Sequence, residues 1–395
     1  MKRRRVLTVL GTGAVAAVAG CIGDDDDTAD DTADDTADDT PDADDTAGAD
    51  DTTDDTTDDA ADDTADDGAT TDEEPPTLTV STYSAFLDAP SISPGEWLKE
   101  EFESEFDATL EWQSPEGEVN HYIERQRSGV DIESDVFLGL DTDDLVRVDE
   151  ELDEELFVEA GDVPGADDIQ PELQFDPAGR ALPFNAYYIC PIYDSTQIAA
   201  PETFDGLLEE EYEGTLITQN PGTSTTGRLF LLHTVHRYGE DGYLDFWAEL
   251  QDNDVQVLGS WGDSYAAWSE GEAPMVISYS TDQVFADAEG ADLDQHQVRF
   301  LDDEGYANPE GMALFADADE PDLAREFMSF VLEPEVQGEI AQQNVVFPAT
   351  ENAVLPDEYA DLAHEPPEPV TFTYEELQGS VSDWIDDWER QFISG

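Results

Sequence analysis

The chain has 395 residues, with 100 Asp and Glu residues against 14 Lys and Arg residues, for a formal net charge of −86. So negative a chain excludes nucleic acids and anionic lipid surfaces as partners, because both are themselves negatively charged. The sequence holds two cysteines, Cys21 and Cys190.

The N-terminus has the pattern of an export signal. Residues 2–5 are basic and contain a twin-arginine pair, and the apolar stretch at 11–19 is too short for a membrane span of about 20 residues. Small residues before Cys21 are typical of a lipobox, so residues 1–21 are predicted to be a twin-arginine lipoprotein signal peptide with lipidation at Cys21. A plain cleavable signal with an incidental cysteine is the alternative. The predicted location is the extracellular face of the cell membrane, held by a lipid anchor.

Residues 22–76 form an acidic segment of low complexity. Between residues 24 and 74 there are 26 acidic residues and no Lys or Arg. Such a composition cannot bury a core and repels itself, which predicts a disordered, extended linker. The remaining acidity is spread over nearly every predicted helix, and we interpret it as a salt-adapted surface rather than an array that steers ligands. At molar salt the Debye length is about 3 Å, so a ligand site must then work by contact.

Residues 77–395 alternate between strand and helix patterns, which predicts an α/β fold with a parallel sheet. The segment exceeds what one core usually supports. We predict two lobes, each a mixed sheet flanked by helices, with residues 77–186 and 304–395 in lobe I and residues 187–303 in lobe II. The extended aromatic stretch at 181–192 is predicted to cross between the lobes, with a hinge near Ala186 and Gly305.

Polar residues follow several of the predicted strands. In open α/β sheets, ligands bind beyond the carboxyl ends of the strands. These positions hold Tyr83, the turn at 114–117, Asp141 and the loop at 219–227. That loop joins a strand to a helix and is rich in Gly, Ser and Thr, so it offers N–H and hydroxyl donors to a polar or anionic ligand. An ordinary helix-capping loop is the alternative.

Several segments together carry a resemblance to a known family: residues 78–83, 138–141, 183–184, 193–194, 219–227, 261–265, 277–281 and 384–390. With them the chain resembles the two-lobed (type II) solute-binding proteins of ABC importers, and more narrowly the thiamine-binding proteins of that class. The resemblance implies a monomer that captures thiamine or its phosphate esters between its lobes. It implies ABC permease and ATPase subunits as partners, with no cofactor and no catalysis.

The resemblance also implies ligand contacts. Aromatic rings would wall a slot for the two rings of thiamine, a role implied for Tyr83, Trp261 and Tyr279, with Tyr265 and Phe285 beside them. A thiazolium is a permanent cation, and aromatic faces attract cations on independent physical grounds. The polar contacts implied are Glu116 and Gly117 at the aminopyrimidine, Asp141, and Thr223, Ser224 and Thr225 around the hydroxyethyl arm.

Some positions depart from the family pattern. Gly222 stands where Arg is often found, Thr226 where Pro is, and Phe285 where Tyr is. The segment at 344–348 has one aromatic residue where the family has two. Without the arginine, the loop at 219–227 suits an uncharged alcohol arm better than a phosphate.

Two other kinds of function are weighed from the residues. A ferric-iron binder is suggested by adjacent Tyr187 and Tyr188, although strand alternation sends them to opposite faces. His233 and His236, at i and i+3, form at most half a zinc site and are interpreted as structural, so no metal is predicted. An enzyme is disfavoured because the sequence has no nucleophile elbow, phosphate-binding Walker loop or zincin helix, and Cys190 lies in an apolar run typical of a buried thiol.

Overall fold

Strands and helices alternate in the computed structural model, which describes residues 75–89 and 92–392. The strands are β1 (Thr77–Thr82), β2 (Thr109–Gln113), β3 (Val136–Leu140), β4 (Phe157–Val158), β5 (Ala181–Tyr193), β6 (Leu216–Gln219), β7 (Gln256–Leu258), β8 (Met275–Tyr279), β9 (Gln297–Val298), β10 (Glu304–Phe315), β11 (Phe347–Pro348) and β12 (Glu368–Val370). The helices are α1 (Ser84–Leu87), α2 (Gly95–Glu105), α3 (Val119–Arg127), α4 (Thr142–Glu151), α5 (Thr225–Tyr238), α6 (Tyr243–Asp252), α7 (Trp261–Ser269), α8 (Asp282–Ala288), α9 (Pro321–Val331), α10 (Pro334–Asn344), α11 (Asp357–Leu362), α12 (Tyr374–Leu377) and α13 (Val381–Phe392). The predicted signal peptide, Cys21 and residues 22–74 of the predicted linker lie outside the described residues.

The strands pair into a 12-stranded sheet whose main order is β2-β1-β3-β10-β5-β8-β6-β7. The two ends of this order are parallel: β1 pairs with β2 and β3, and β6 pairs with β7 and β8. Its middle is antiparallel, because the long strands β5 and β10 run against each other and against β8 and β3. The predicted parallel sheet is therefore wrong at the centre, whereas the predicted mixed α/β architecture is confirmed.

The hydrophobic core is divided where β5 and β10 cross it. Phe184 and Ala186 of β5 belong to a cluster built on β1, β3, α2, α9 and α10. The next residue, Tyr187, belongs to another cluster built on α5, α6 and α13. In β10, likewise, Met312 belongs to the first cluster and Tyr306 to the second. The two long strands thus connect two cores, and the predicted lobe boundaries stay a prediction that this change of core supports.

The C-terminal helices pack in the second cluster. The i, i+4 spacing of Trp384 and Trp388 predicts two packing residues on one helix face, and on α13 they are 7% and 1% exposed and belong to the core. The segment 304–395, predicted to belong to lobe I, thus includes α13, which packs with α6 of the predicted lobe II. The sequence pattern over 374–392 by itself predicts one helix, but Gly379 has a φ of +74° and separates α12 from α13.

The helical pattern of the sequence predicts a helix that starts at Arg228, but α5 begins at Thr225. Its first turn packs tightly on the end of β6, since a Cβ at Gly227 would lie 2.5 Å from the carbonyl oxygen of Gln219. The last residues of the loop at 219–227 are therefore helical. Among residues 75–89 and 92–392, no helix has both the length and the apolar character to cross a membrane.

Candidate functional site

A cavity of about 750 Å³ lies where β1, β3, β6, β7 and β8 end. This is the side of the sheet on which ligands bind in α/β proteins, and the volume is within the usual range for small-molecule sites. Most of the predicted ligand residues line it, namely Tyr83, Gly117, Asp141, Thr223, Thr225, Trp261, Tyr279 and Phe285. Glu116, Ser224 and Tyr265 are outside the lining.

One wall of the cavity is aromatic. Tyr279, the last residue of β8, has its ring centroid 5.3 Å from that of Tyr187 and 5.7 Å from that of Trp261. The Trp261 indole is fixed because its Nε1–H donates to Oγ of Ser278 at 3.0 Å. Tyr265 supports this wall from behind: its ring lies 5.0 Å from Trp261. The wall therefore presents ring faces whose orientation is already set.

Tyr83 follows β1, in the other parallel part of the sheet, and its ring packs over a glycine of β3. Gly139 has a φ of +109°, and a Cβ there would lie 2.6 Å from Cδ1 of Tyr83. The Tyr83 ring can occupy its position only because residue 139 has no side chain. Its hydroxyl accepts a hydrogen bond from Nδ2 of Asn344 at 2.7 Å and donates to Oε2 of Glu310 at 3.3 Å.

Glu310 is a buried carboxyl group that lines the cavity and was not predicted. It is 8% exposed and accepts a hydrogen bond from Nδ2 of Asn185 at 2.9 Å. Burial, together with the negative charge of Asp141, raises the pKa of Glu310 to about 8. A carboxyl group so placed is costly to ionise without a positive charge nearby.

An acidic cluster and two arginines form another part of the lining. Asp141 caps α4, since its Oδ1 accepts from the N–H of Asp144 at 2.8 Å. Arg228 of α5 reaches Asp143 at 3.2 Å and Asp141 at 3.8 Å, and Arg147 reaches Asp143 at 3.3 Å and also Asp144. Burial raises the pKa of Asp141, against the opposing effect of the Arg228 charge. Both guanidinium groups are already engaged with aspartates, and the pairing of Arg228 joins α5 to the start of α4.

The loop at 219–227 uses most of its polar groups internally. Thr223 donates to the carbonyl oxygen of Gly259 at 2.7 Å, and the hydroxyls of Ser224 and Thr226 lie 2.9 Å apart. Asn220 accepts from the N–H of Gly222 at 2.8 Å. Thr223 and Thr225 line the cavity, so the loop contributes a short polar edge rather than the open cradle of donors that the sequence suggested.

Glu118, and not the predicted Glu116, lines the cavity. Both residues are exposed, but Glu116 is outside the lining, whereas Glu118 lines the cavity with a φ of +48°. Partial desolvation at the cavity and the charge of Asp141 raise the pKa of Glu118. Glu118, two residues beyond the predicted Glu116, is therefore the acidic residue between β2 and α3 that lines the cavity, and the role of Glu116 stays a prediction.

The residues behind the iron, zinc and enzyme alternatives differ in their surroundings. Tyr187 lines the cavity, whereas Tyr188 packs in a different cluster on the other face of β5, as alternation predicts. His233 is buried 3.5 Å from Glu304. Cys190 is a buried free thiol, and burial raises its pKa well above the ordinary value. A neutral buried thiol is a poor nucleophile.

The sequence profile of the bacterial extracellular solute-binding proteins matches residues 97–367, and the chain belongs to this family. The fold and the cavity at the strand ends agree with that class, and the predicted solute-binding class is confirmed.

Individual relatives narrow the comparison. The chain is 28% identical over 316 residues to the thiamine-binding periplasmic protein of Escherichia coli (strain K12), covering 80% of this chain and 93% of the relative. A solved periplasmic thiamin binding protein superposes with a TM-score of 0.69 at 27% identity, covering 80% of this chain and 96% of that one. Iron-bound HitA from Pseudomonas aeruginosa superposes with a TM-score of 0.64 at 16% identity, covering 80% and 100%, and shares the fold alone. The predicted resemblance to thiamine-binding proteins is confirmed, and these relatives are named for binding rather than for catalysis.

Proposed function

We propose that the protein captures thiamine, or a close relative with a pyrimidine and a thiazolium ring, in the cavity at the strand ends. The observation that carries the proposal is the pairing of a fixed aromatic wall, Tyr187, Tyr279 and Trp261, with a carboxyl group at Glu310 in the same cavity. Relatives over nearly the whole folded part of the chain are named as thiamine-binding proteins.

The chemistry of the lining supports a cationic ligand. Aromatic faces attract a desolvated cation by up to about 2 kcal/mol. Ionisable carboxyl groups outnumber guanidinium groups in the lining. The carboxyl groups are those of Glu118, Asp141, Asp144, Asp282 and Glu310, and the guanidinium groups are those of Arg147 and Arg228. A positively charged ring system would therefore gain from contact with this cavity without any long-range attraction.

The same lining disfavours phosphate esters. Arg147 and Arg228 are the cationic side chains of the lining, and both are paired with aspartates. A phosphate would have to compete with those aspartates and would add negative charge beside Glu118 and Asp141. We therefore propose unphosphorylated thiamine as the preferred ligand, with affinity falling as phosphates are added.

Replacing Trp261 tests the location of the site. The variant Trp261→Ala should weaken thiamine binding by more than tenfold and leave the melting temperature of the empty protein nearly unchanged, because Trp261 faces the cavity. Trp268, on the same helix, is a matched control: it is 6% exposed and packs in the core. Trp268→Ala should lower the melting temperature, since large-to-small core substitutions cost about 3–5 kcal/mol. Equal losses of stability in the two variants would mean that Trp261 is a core residue.

Ferric iron is the second candidate, because the hydroxyl-bearing residues Tyr83, Tyr187 and Tyr279 line the cavity together with Glu310. Iron binding through tyrosine requires phenolates. Burial, reinforced by the charge of Glu310, raises the pKa of all three tyrosines. The cavity therefore opposes phenolate formation, and thiamine remains the better-supported ligand.

We also propose that the protein is a monomer and not an enzyme, and that closure of the two lobes presents the loaded form to the permease and ATPase subunits of an ABC importer. Thiamine recovered unchanged after incubation would agree with binding alone, whereas a new product would contradict it.

The lipid anchor at Cys21 and the twin-arginine export route rest on the sequence alone. Cys21→Ala should release the exported protein from the membrane fraction; equal retention of both forms would refute the anchor.

A further inference from the structure

Glu310 lies in the middle of β10 and lines the cavity, whereas the other carboxyl group of this strand, Glu304, lies outside the lining. Asn185 and Tyr83 both donate to its Oε2. These donors are neutral, so they orient the carboxyl group without supplying a positive charge. The hydroxyl of Tyr83 is itself held by Asn344, which fixes the geometry from α10.

The titratable groups with the largest effects on Glu310 are neutral or negative. Tyr83 follows β1, Tyr187 lies on β5 and Tyr279 ends β8, while Asp141 precedes α4 and Glu118 precedes α3. The arginines of the cavity, Arg147 and Arg228, are held by aspartates of the α4 turn. In the empty cavity, then, these surroundings favour the uncharged carboxylic acid.

We propose that Glu310 is a specificity-determining residue that pairs with a permanent positive charge on the ligand, and that binding expels a proton from its carboxyl group. This rests on the proposed function, whose ligand carries such a charge. In the step, the O–H bond of the carboxylic acid breaks and the oxygen keeps the electron pair. The proton passes to water or a buffer base, and the carboxylate and the bound cation neutralise each other.

Asn185 suits both states of this exchange. In the structure its Nδ2 donates to Glu310 Oε2, a bond that a carboxylate or the carbonyl oxygen of a carboxylic acid can accept, while among the described residues its own Oδ1 is buried without a hydrogen-bond partner. A half turn of the amide exchanges its oxygen and nitrogen, and the oxygen would then accept from a protonated carboxyl group. A buried amide beside a titrating acid can in this way satisfy either protonation state.

The consequence is a discrimination that aromatic stacking alone does not supply. A permanent cation gains a buried counter-charge, whereas a neutral ligand of the same shape leaves Glu310 protonated and gains only the ring contacts. Affinity for the cation should therefore rise with pH, about tenfold per pH unit between the pKa of Glu310 in the complex and its value of about 8 in the empty protein. Affinity for the neutral ligand should not depend on pH in this range.

Calorimetry of the full chain with thiamine, in buffers of different ionisation enthalpy, counts the released protons. The expected result is close to one proton per bound thiamine near pH 6.5 and none above pH 9. An uncharged isostere, in which a thiophene replaces the thiazolium, should release none at any pH. Thiamine binding without proton release, and with an affinity that does not change between pH 6 and pH 9, would overturn this proposal while leaving the proposed function intact. No binding of thiamine at any pH would instead overturn the proposed function.

Variants assign the proton to Glu310. Glu310→Gln should abolish proton release and weaken thiamine binding at pH 9 by at least tenfold, with little change for the neutral isostere. Glu304→Gln is the matched control, a second buried carboxyl group on β10 that lies outside the cavity lining and pairs with Arg237; it should keep the proton release. Retention of the release in Glu310→Gln and its loss in Glu118→Gln would assign the proton to Glu118 and refute the proposal. Should Glu310→Gln fail to fold, the proton count of the unmodified protein decides.

Discussion

Individual residues of the site were predictable where they follow a strand directly. Tyr83 and Asp141 stand at the carboxyl ends of β1 and β3, so the strand pattern alone places them at one edge of the sheet, whereas Tyr279, at the end of β8, came from the family resemblance. Glu310 and Tyr187 lie in the middle of long strands. They reach the cavity only because β5 and β10 cross between the two cores, an arrangement set by strand pairing and not by local pattern.

The buried acid makes a prediction about the empty protein. The pKa of Glu310 is raised in the folded state to about 8, so its contribution to stability is fully present below the unfolded pKa near 4.5 and is lost as pH rises through 8. The loss is on the order of 1.4 kcal/mol per pH unit in that window. Glu310→Gln has no such loss and should melt at a higher temperature than the unmodified protein at pH 9, with the difference vanishing near pH 5. Thermal unfolding at both pH values measures this; a lower melting temperature for the variant at pH 9 would be inconsistent with a costly buried carboxylate.

At the scale of elements, the strand and helix pattern predicted most of the architecture, since its periodicity follows from which face each element buries. Two helix boundaries differ from the predicted ones, and each difference has a local cause. α5 starts early because Gly227 lets its first turn pack on the Gln219 carbonyl, and the C-terminal helix breaks at Gly379. The antiparallel centre of the sheet could not be predicted from the alternation of strands and helices, because that alternation does not show in which direction each strand runs.

The link between α4 and α5 can be tested through Arg228. Its side chain is 19% exposed, and its partners Asp141 and Asp143 are 8% and 14% exposed. Arg228→Gln should lower the free energy of unfolding by about 3 kcal/mol at pH 8, because it leaves the buried Asp141 without its ion-pair partner and Asp143 with Arg147 alone. Arg390→Gln is the control: Arg390 and Asp387 form an ion pair with side chains 71% and 41% exposed, and its loss should cost less than about 0.5 kcal/mol. Urea unfolding compares the two; equal small losses would show that the Arg228 pair does not hold the helices together.

At the scale of the whole molecule, the charge of −86 is the dominant property. At low salt, self-repulsion of so many carboxylates destabilises the compact state, and molar salt screens it. The melting temperature should therefore rise steadily as KCl is increased from 0.1 M to molar concentrations. A melting temperature that is unchanged or lower in molar KCl would refute the interpretation of a salt-adapted surface.

The whole molecule is also the scale of the central claim, capture of thiamine in the cavity at the strand ends. Calorimetric titration of the full chain with thiamine in molar salt tests it most directly. The predicted result is a saturable, one-to-one isotherm, with weaker binding of thiamine phosphates and no response to ferric citrate. The absence of heat and of any tryptophan fluorescence change with thiamine, together with a saturable response to ferric iron, would contradict it.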